Sequence, residues 1–135
     1  MDIARQSPVW QLQEALKDLP QLPLETLHYF ADGMYLRWLY RPKGALIIGK
    51  VHKKEHFYLV IQGKVQIERE VHTAPAVIVS KPGTKRAVLA LEDSVCITIH
   101  RTNERDLDKI EVELVEPDPA SPYLPGNILK VKELT

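Results

Sequence analysis

Disulfide chemistry is excluded at once, because the chain has a single cysteine, Cys96. It cannot close an intrachain bridge, and no second thiolate is present to build a cysteine-based metal site, so a reducing compartment is the expected setting. An excess of either charge is also missing: 18 Lys and Arg balance 18 Asp and Glu, which leaves no overall pull toward nucleic acid or an anionic membrane surface. Aromatic residues make up only 7%, too few to interleave with basic side chains as a base-stacking platform, so nucleic acid is an unlikely partner. No run approaches the roughly 18 apolar residues of a membrane helix. The opening MDIARQSPVWQLQEAL lacks the basic start, apolar centre and small-residue cleavage site of a signal peptide, and the chain is read as cytoplasmic. Internal repeats and low-complexity segments are absent as well.

What remains is 44% hydrophobic and 27% charged over 135 residues. That is the balance of an ordinary globular protein, large enough to bury a core without disulfide or metal staples. Ser7-Pro8 followed by Val9, Leu12, Leu16 and Leu19 gives a cap, a proline at the first helical position and an apolar stripe at helical spacing. Pro20 and Pro23 end that helix, since each lacks a donor and pushes its predecessor toward extended backbone.

Beyond this point the pattern changes to short β-branched and aromatic runs broken by turn pairs such as Asp32-Gly33, Gly63-Lys64 and Pro82-Gly83. Such punctuation predicts about seven antiparallel strands. They run over residues 34–41, 45–51, 55–62, 64–70, 76–80, 85–91 and 94–101. Several are apolar at both parities, as Phe57, Leu59 and Ile61 against Tyr58 and Val60, which predicts an outer face shielded from water by the N-terminal helix with Trp10 or by a second copy in a homodimer. Leu107, Ile110 and Leu114 then predict a short C-terminal helix started by Asp106 or Asp108. The proline-rich EPDPASPYLPGN after Val115 reads as an irregular strap whose tip could touch a neighbour. The expected organisation is one domain: helix and lead-in over residues 1–26, a β-barrel over 27–101, and a helix and tail over 102–135.

Two stretches resemble the cupin superfamily. GALIIGKVHKKEHFYLVIQG, from Gly44 to Gly63, is similar to the first conserved cupin motif, and VSKPGTKRAVLALED to the second. The resemblance covers about Met34 to Arg101 and implies a small double-stranded β-helix, or jelly roll. It sets Lys50 and His52 at the paired-histidine positions of the first motif, His56 at its acidic position seven residues before Gly63, and Arg86 at the histidine of the second motif. The run of GKVHKKEH, KPGTKRAVLALEDS and ITIH also resembles a group of small phage and prophage proteins.

The pocket chemistry has two readings. Strand alternation puts Leu46, Ile48, Lys50 and His52 on one face, and His56, Tyr58 and Val60 on one face of the next strand. His52 and His56 would then approach across the Lys53-Lys54 turn, and a third metal ligand would be His100, or Glu55 turned inward by a bulge. With three such donors the expected cofactor is one divalent ion, Zn, Fe, Ni or Mn. Alternatively Lys50 and Arg86 make a basic pocket for a small anionic ligand, with Arg86 as the bidentate anchor and Tyr58, His52 or His56 as proton donors. Both readings give a small-molecule or metal-binding cupin with Lys50, His52, His56, Tyr58 and Arg86 around one cavity, open to being an enzyme. The competing function is a phage structural or accessory protein, virion-associated, with the jelly roll as an assembly scaffold among virion proteins. His28 and His72 read as structural, and structural hydrogen bonding is the alternative reading of His100.

Overall fold

The computed structural model describes residues 8–16 and 23–130. Helix α1 spans Pro8–Leu16 and starts at the proline that the sequence places in its first turn. The predicted Leu19 position of its stripe lies outside the described residues. Eleven strands follow, in two packed sheets and a small hairpin. The five-stranded sheet has the order β1-β2-β9-β4-β7, with β1 Thr26–Ala31, β2 Met34–Arg41, β4 His56–Gln62, β7 Ala76–Ser80 and β9 Ser94–Arg101. The four-stranded sheet has the order β3-β8-β5-β6, with β3 Leu46–Ile48, β5 Lys64–Ile67, β6 Glu70–Thr73 and β8 Ala87–Ala90. All pairings are antiparallel, and the two sheets form a small jelly-roll sandwich. Helix α2, Leu107–Leu114, and the hairpin β10 Tyr123–Leu124 with β11 Ile128–Leu129 complete the chain.

The inner faces meet in a cluster of Tyr58, Val60, Val65, Ile67, Val88 and Cys96. Val60 and Val65 are completely buried, and each such side chain contributes about 1.5–3 kcal/mol. Two further clusters fasten the ends of the chain to the sheets. Ile110, Leu114 and Val115 of α2 and its end pack on Tyr35, and Tyr123 packs on Ala45 and Ile47 of the β3 segment. The segment read as an irregular strap therefore folds back on its own chain, pinned by the buried Tyr123 and by a buried ion pair from Asp118 to Lys85.

Three expectations need correction. The strand list omitted β1 and β6, whose pairing partners β2 and β5 are firm; β6 is cut from the predicted 64–70 strand by a turn in which Glu68 takes a positive φ of 55°. The predicted strand 45–51 shrinks to Leu46–Ile48. Its inward residue is Ile47, whereas Leu46 is exposed, so the pleat does not carry Leu46, Ile48, Lys50 and His52 along a common inner face. Finally, α1 does not cover the outer face of β4, since Phe57 and Ile61 remain about half exposed, along with Val77 and Val79 of β7. The helix lies instead over the cleft beside β8, where the Lys85 ammonium sits 3.9 Å from the centre of the Trp10 ring.

Gly63 illustrates how one turn sets the register. Its φ is +82°, and a Cβ there would fall 2.4 Å from both the Asp93 carbonyl oxygen and Ser94 Oγ. Gly44 has a similar φ of +86° with nothing within 4 Å. Gly63→Ala is expected to cost about 2–5 kcal/mol, combining backbone strain with overpacking, and Gly44→Ala only about 1–2 kcal/mol. Urea unfolding of the two variants decides the matter, and equal losses would show that the contact with the β9 turn is unimportant.

Candidate functional site

The five-stranded sheet places its inward side chains in rows. Tyr35 of β2 is paired with His100 of β9, and Arg37 with Thr98, which in turn faces Tyr58 of β4. Extending the β4–β9 register by one residue sets His56 opposite His100. Phe57, Ile97 and Ile99 point the other way, because alternate residues face opposite sides of a sheet. Both histidines are buried, His56 at 7% and His100 at 4% exposure.

His52 arrives by a different route. Residues 49–55 leave the ladder of β3, and His52 makes an isolated bridge with Val115 just after α2. This bridge is fixed by bonds from Lys53 N–H to the Leu114 carbonyl and from Glu116 N–H to the Val51 carbonyl. The loop thus swings His52 over the end of the row containing His56 and His100. The ring centres lie 4.3 Å apart for His52 and His56, 4.5 Å for His56 and His100, and 5.3 Å for His52 and His100. One nitrogen from each ring falls within 4.8 Å of the others.

Each ring also has a polar partner. His56 Nδ1 lies 3.2 Å from the Lys54 carbonyl, so Nδ1 carries the proton and Nε2 keeps its lone pair. His100 Nε2 meets Thr98 Oγ1 at 3.0 Å, and the Lys50 backbone accepts from His52. All three rings are held neutral. Burial is the main cause, followed for His52 and His100 by the positive charge of Arg37, and it takes His52 down to about 3 and His100 to about 2. His56 is lowered by burial, partly offset by its bond to Lys54.

Three neutral imidazoles with converging nitrogens fit a divalent ion in an open coordination shell. Anchoring each ligand through its second nitrogen is the usual way such rings are oriented. Against a bare dication stand two guanidinium groups, Arg37 and Arg86, whose charges both reach the cluster. An ion held here would be favoured by an anionic oxygen ligand that balances them.

The other sequence-selected residues are placed as follows. Lys50 is paired with Glu111 of α2, so its charge is neutralised at the edge of the cluster. Tyr58 is buried beside Arg41 and Cys96, and burial pushes its hydroxyl up to about 12. Arg86 Nη2 reaches Ser80 Oγ at 3.3 Å, while its Nε is buried without a partner among the described residues. Glu55 points outward to Lys81 at 2.6 Å. His28 accepts or donates a 2.6 Å bond with the Tyr35 hydroxyl, and His72 sits 3.5 Å from Glu70.

Sequence reasoning passed over Arg37, Arg41 and Glu111. The arginines share the parity of Tyr35 and Leu39 in MYLRWLYR, a charge-bearing inner face that alternation could have exposed. Glu111 lies on the helix face of Leu107 and Leu114, and with Arg37, His52 and His100 it lines a small cavity of about 20 Å³ under α2. Among the other basic residues near the turns, Lys85 is buried on Asp118, Lys54 pairs with Glu113, and Lys53 donates to the Val112 carbonyl. No helix among the described residues is long and apolar enough to cross a membrane.

No protein-family model matches the sequence, and no curated protein matches it. Solved structures do. An acetylacetone dioxygenase from Acinetobacter johnsonii superposes with a TM-score of 0.51 at 11% identity, over 58% of this chain and 59% of that one. An RmlC-like cupin protein from Ralstonia eutropha JMP134 gives 0.52 at 16% identity, over 63% and 60%. KdgF from a Halomonas species gives 0.51 at 20% identity, over 62% and 82%. The chain thus matches about three fifths of the length of the first two proteins. These likenesses establish the fold.

Proposed function

We propose that this chain, which has the cupin fold, is a small-molecule-binding protein that holds one divalent metal ion on His52, His56 and His100. The observation that carries the reading is the meeting of three neutral, individually anchored imidazoles from a loop and two adjacent strands, with nitrogens within 4.8 Å of one another. A structural role alone gives no reason to bury three rings side by side in a positive environment, because none of them makes an ion pair there. An ion at this place would act as a Lewis acid toward an oxygen ligand. The chain's own residues would then do the rest: the Lys54 carbonyl and Thr98 hydroxyl hold the rings in position, and Leu107, Ile110 and Leu114 of α2 exclude water from one side. The similarity in fold to a protein described as a dioxygenase is compatible with oxygen-ligand chemistry.

Metal analysis after dialysis against Zn(II), Ni(II), Mn(II) and anaerobic Fe(II) tests this reading. We expect close to one ion per chain, and His100→Ala or His56→Ala should weaken retention by at least about 100-fold, since loss of an outer partner alone typically costs about 10–100-fold. A wild-type chain that retains none of the four ions would end the proposal.

A further inference from the structure

The metal reading leaves one feature unused. A cleft of about 1230 Å³ opens between α1 and the β8 end of the four-stranded sheet. Val51, Ile67 and Ile78 give it hydrocarbon walls, and Trp10 closes one side. Arg86 is part of its lining. The charge of Arg86 also lowers His52 and His56, so the guanidinium is a neighbour of those imidazoles as well as a wall of the cleft.

Arg86 is incompletely satisfied. Among the described residues its guanidinium makes one hydrogen bond, the 3.3 Å contact with Ser80 Oγ, and its Nε is buried with no acceptor. A buried donor on a charged group left in this state is destabilising, a penalty that an anionic acceptor would remove. Of the other basic groups along the cleft, Lys85 is engaged by Asp118 and His72 by Glu70, while Arg69 is exposed at the rim. Glu68 and Glu116 are exposed at the rim. The rim thus carries charges of both signs, and Arg86 is the cation of the cleft wall that keeps an unpaired donor among the described residues.

Size and wall chemistry narrow the ligand further. The cavity on the α2 side of the histidines is only about 20 Å³, room for about one water. The body of any larger ligand must lie in the cleft, against aliphatic and indole surface. A planar carboxylate also matches the guanidinium fork, which a polyhydroxylated or neutral molecule does not.

We propose that this cleft binds a small carboxylic acid with a hydrocarbon body, its carboxylate on Arg86 and its body against Val51, Ile67 and Ile78. The inference takes its neighbourhood from the metal reading but stands on different atoms, so the two can fail separately.

Phenylacetate is the probe, with neutral phenylacetamide and the polyhydroxylated acid gluconate as controls, titrated into the full chain in metal-free and Co(II)-treated form by calorimetry and thermal shift. Phenylacetate should bind saturably and raise the melting temperature by linkage, the two controls should bind at least 10-fold more weakly, and Arg86→Gln should lose at least 10-fold in affinity with Arg86→Lys in between. Equal binding of phenylacetamide overturns the proposal without any variant being needed, and so does a wild-type chain indifferent to phenylacetate. If Co(II) binds stoichiometrically and phenylacetate does not, the metal reading survives alone. If phenylacetate binds in an Arg86-dependent way and no Co(II) is retained, the carboxylate site stands and the metal reading falls.

Discussion

Replacing Asp118 with alanine is expected to destabilise the chain by about 3–5 kcal/mol, the usual cost of stranding one member of a buried ion pair. Lys85 and Asp118 are 2.7 Å apart with side-chain exposures of 4% and 2%. Lys85 also donates to the Gly49 carbonyl at 2.9 Å, and Asp118 accepts from Gln13 Nε2 at 3.2 Å. The pair therefore joins α1, the loop after β3, the entry to β8 and the C-terminal segment. Without Asp118 the ammonium must either stay buried without this carboxylate or drag the β8 entry toward water. The exposed pair Lys81–Glu55, at 71% and 54% exposure, provides the contrast: Glu55→Ala should cost no more than about 1 kcal/mol. Replacing both buried partners at once, as Lys85→Met with Asp118→Leu, should recover most of the loss, since an apolar pair of similar volume avoids the desolvation penalty. Urea midpoints of the three variants measure this, and an Asp118→Ala loss no larger than that of Glu55→Ala would contradict the structural account.

Acid should unfold the metal-free protein through the same histidines that make the site. In the unfolded chain a histidine titrates near its ordinary 6.5, whereas in the fold His52 is lowered to about 3 and His100 to about 2, by burial first and by Arg37 second. Below about pH 6.5 the unfolded state thus binds protons that the folded state refuses. The stability these groups supply is complete above that pH and declines as the pH falls toward the folded values. Each group contributes a slope of up to about 1.4 kcal/mol per pH unit, so the two together remove about 5 kcal/mol between pH 6 and pH 4, comparable with the whole stability of many domains. Carboxylates add their own pH dependence, so the informative quantity is a difference. Stability of His100→Gln measured over the same range should fall less steeply than wild type, by about 1.4 kcal/mol per unit. Parallel curves for the two proteins would mean that His100 is not held neutral in the fold.

Much of the sheet is legible in the chain because turn chemistry is local. β2, β7 and β9 begin and end where the sequence predicts, each bounded by residues that favour a turn or cannot continue a strand. The helices are legible for a similar reason: Pro8 starts α1, and the Asp106 carboxylate caps α2 by accepting from the Asp108 and Lys109 N–H groups. β1 and β6 were missed, being short and at least partly exposed on every residue, with little apolar contrast to separate a strand from a loop.

The site is a different matter. His56 and Tyr58 share an inner face because β4 is regular, and alternation predicts this. Alternation fails for His52, since three residues of ladder after Ala45 are followed by a loop, and a period-two argument has no force once pairing stops. His100 joins the cluster only because β9 lies between β2 and β4, a neighbour relation that no local pattern encodes. Lys50, expected as a free cation in the pocket, meets Glu111 from a helix 61 residues away, and Arg37 takes the place beside the imidazoles.

By itself, then, the sequence determined the class of fold, the helix starts, most strand limits and the residue types available for chemistry, because those follow from backbone restrictions and periodicity acting over a few residues. The tertiary structure alone decided which cation is neutralised and which is left facing the histidines, and that three rings from a loop and two strands share one space. Those outcomes depend on strand order, on a loop leaving its ladder and on a distant helix, and the Coulomb and burial effects that tune the site act through space and not along the chain.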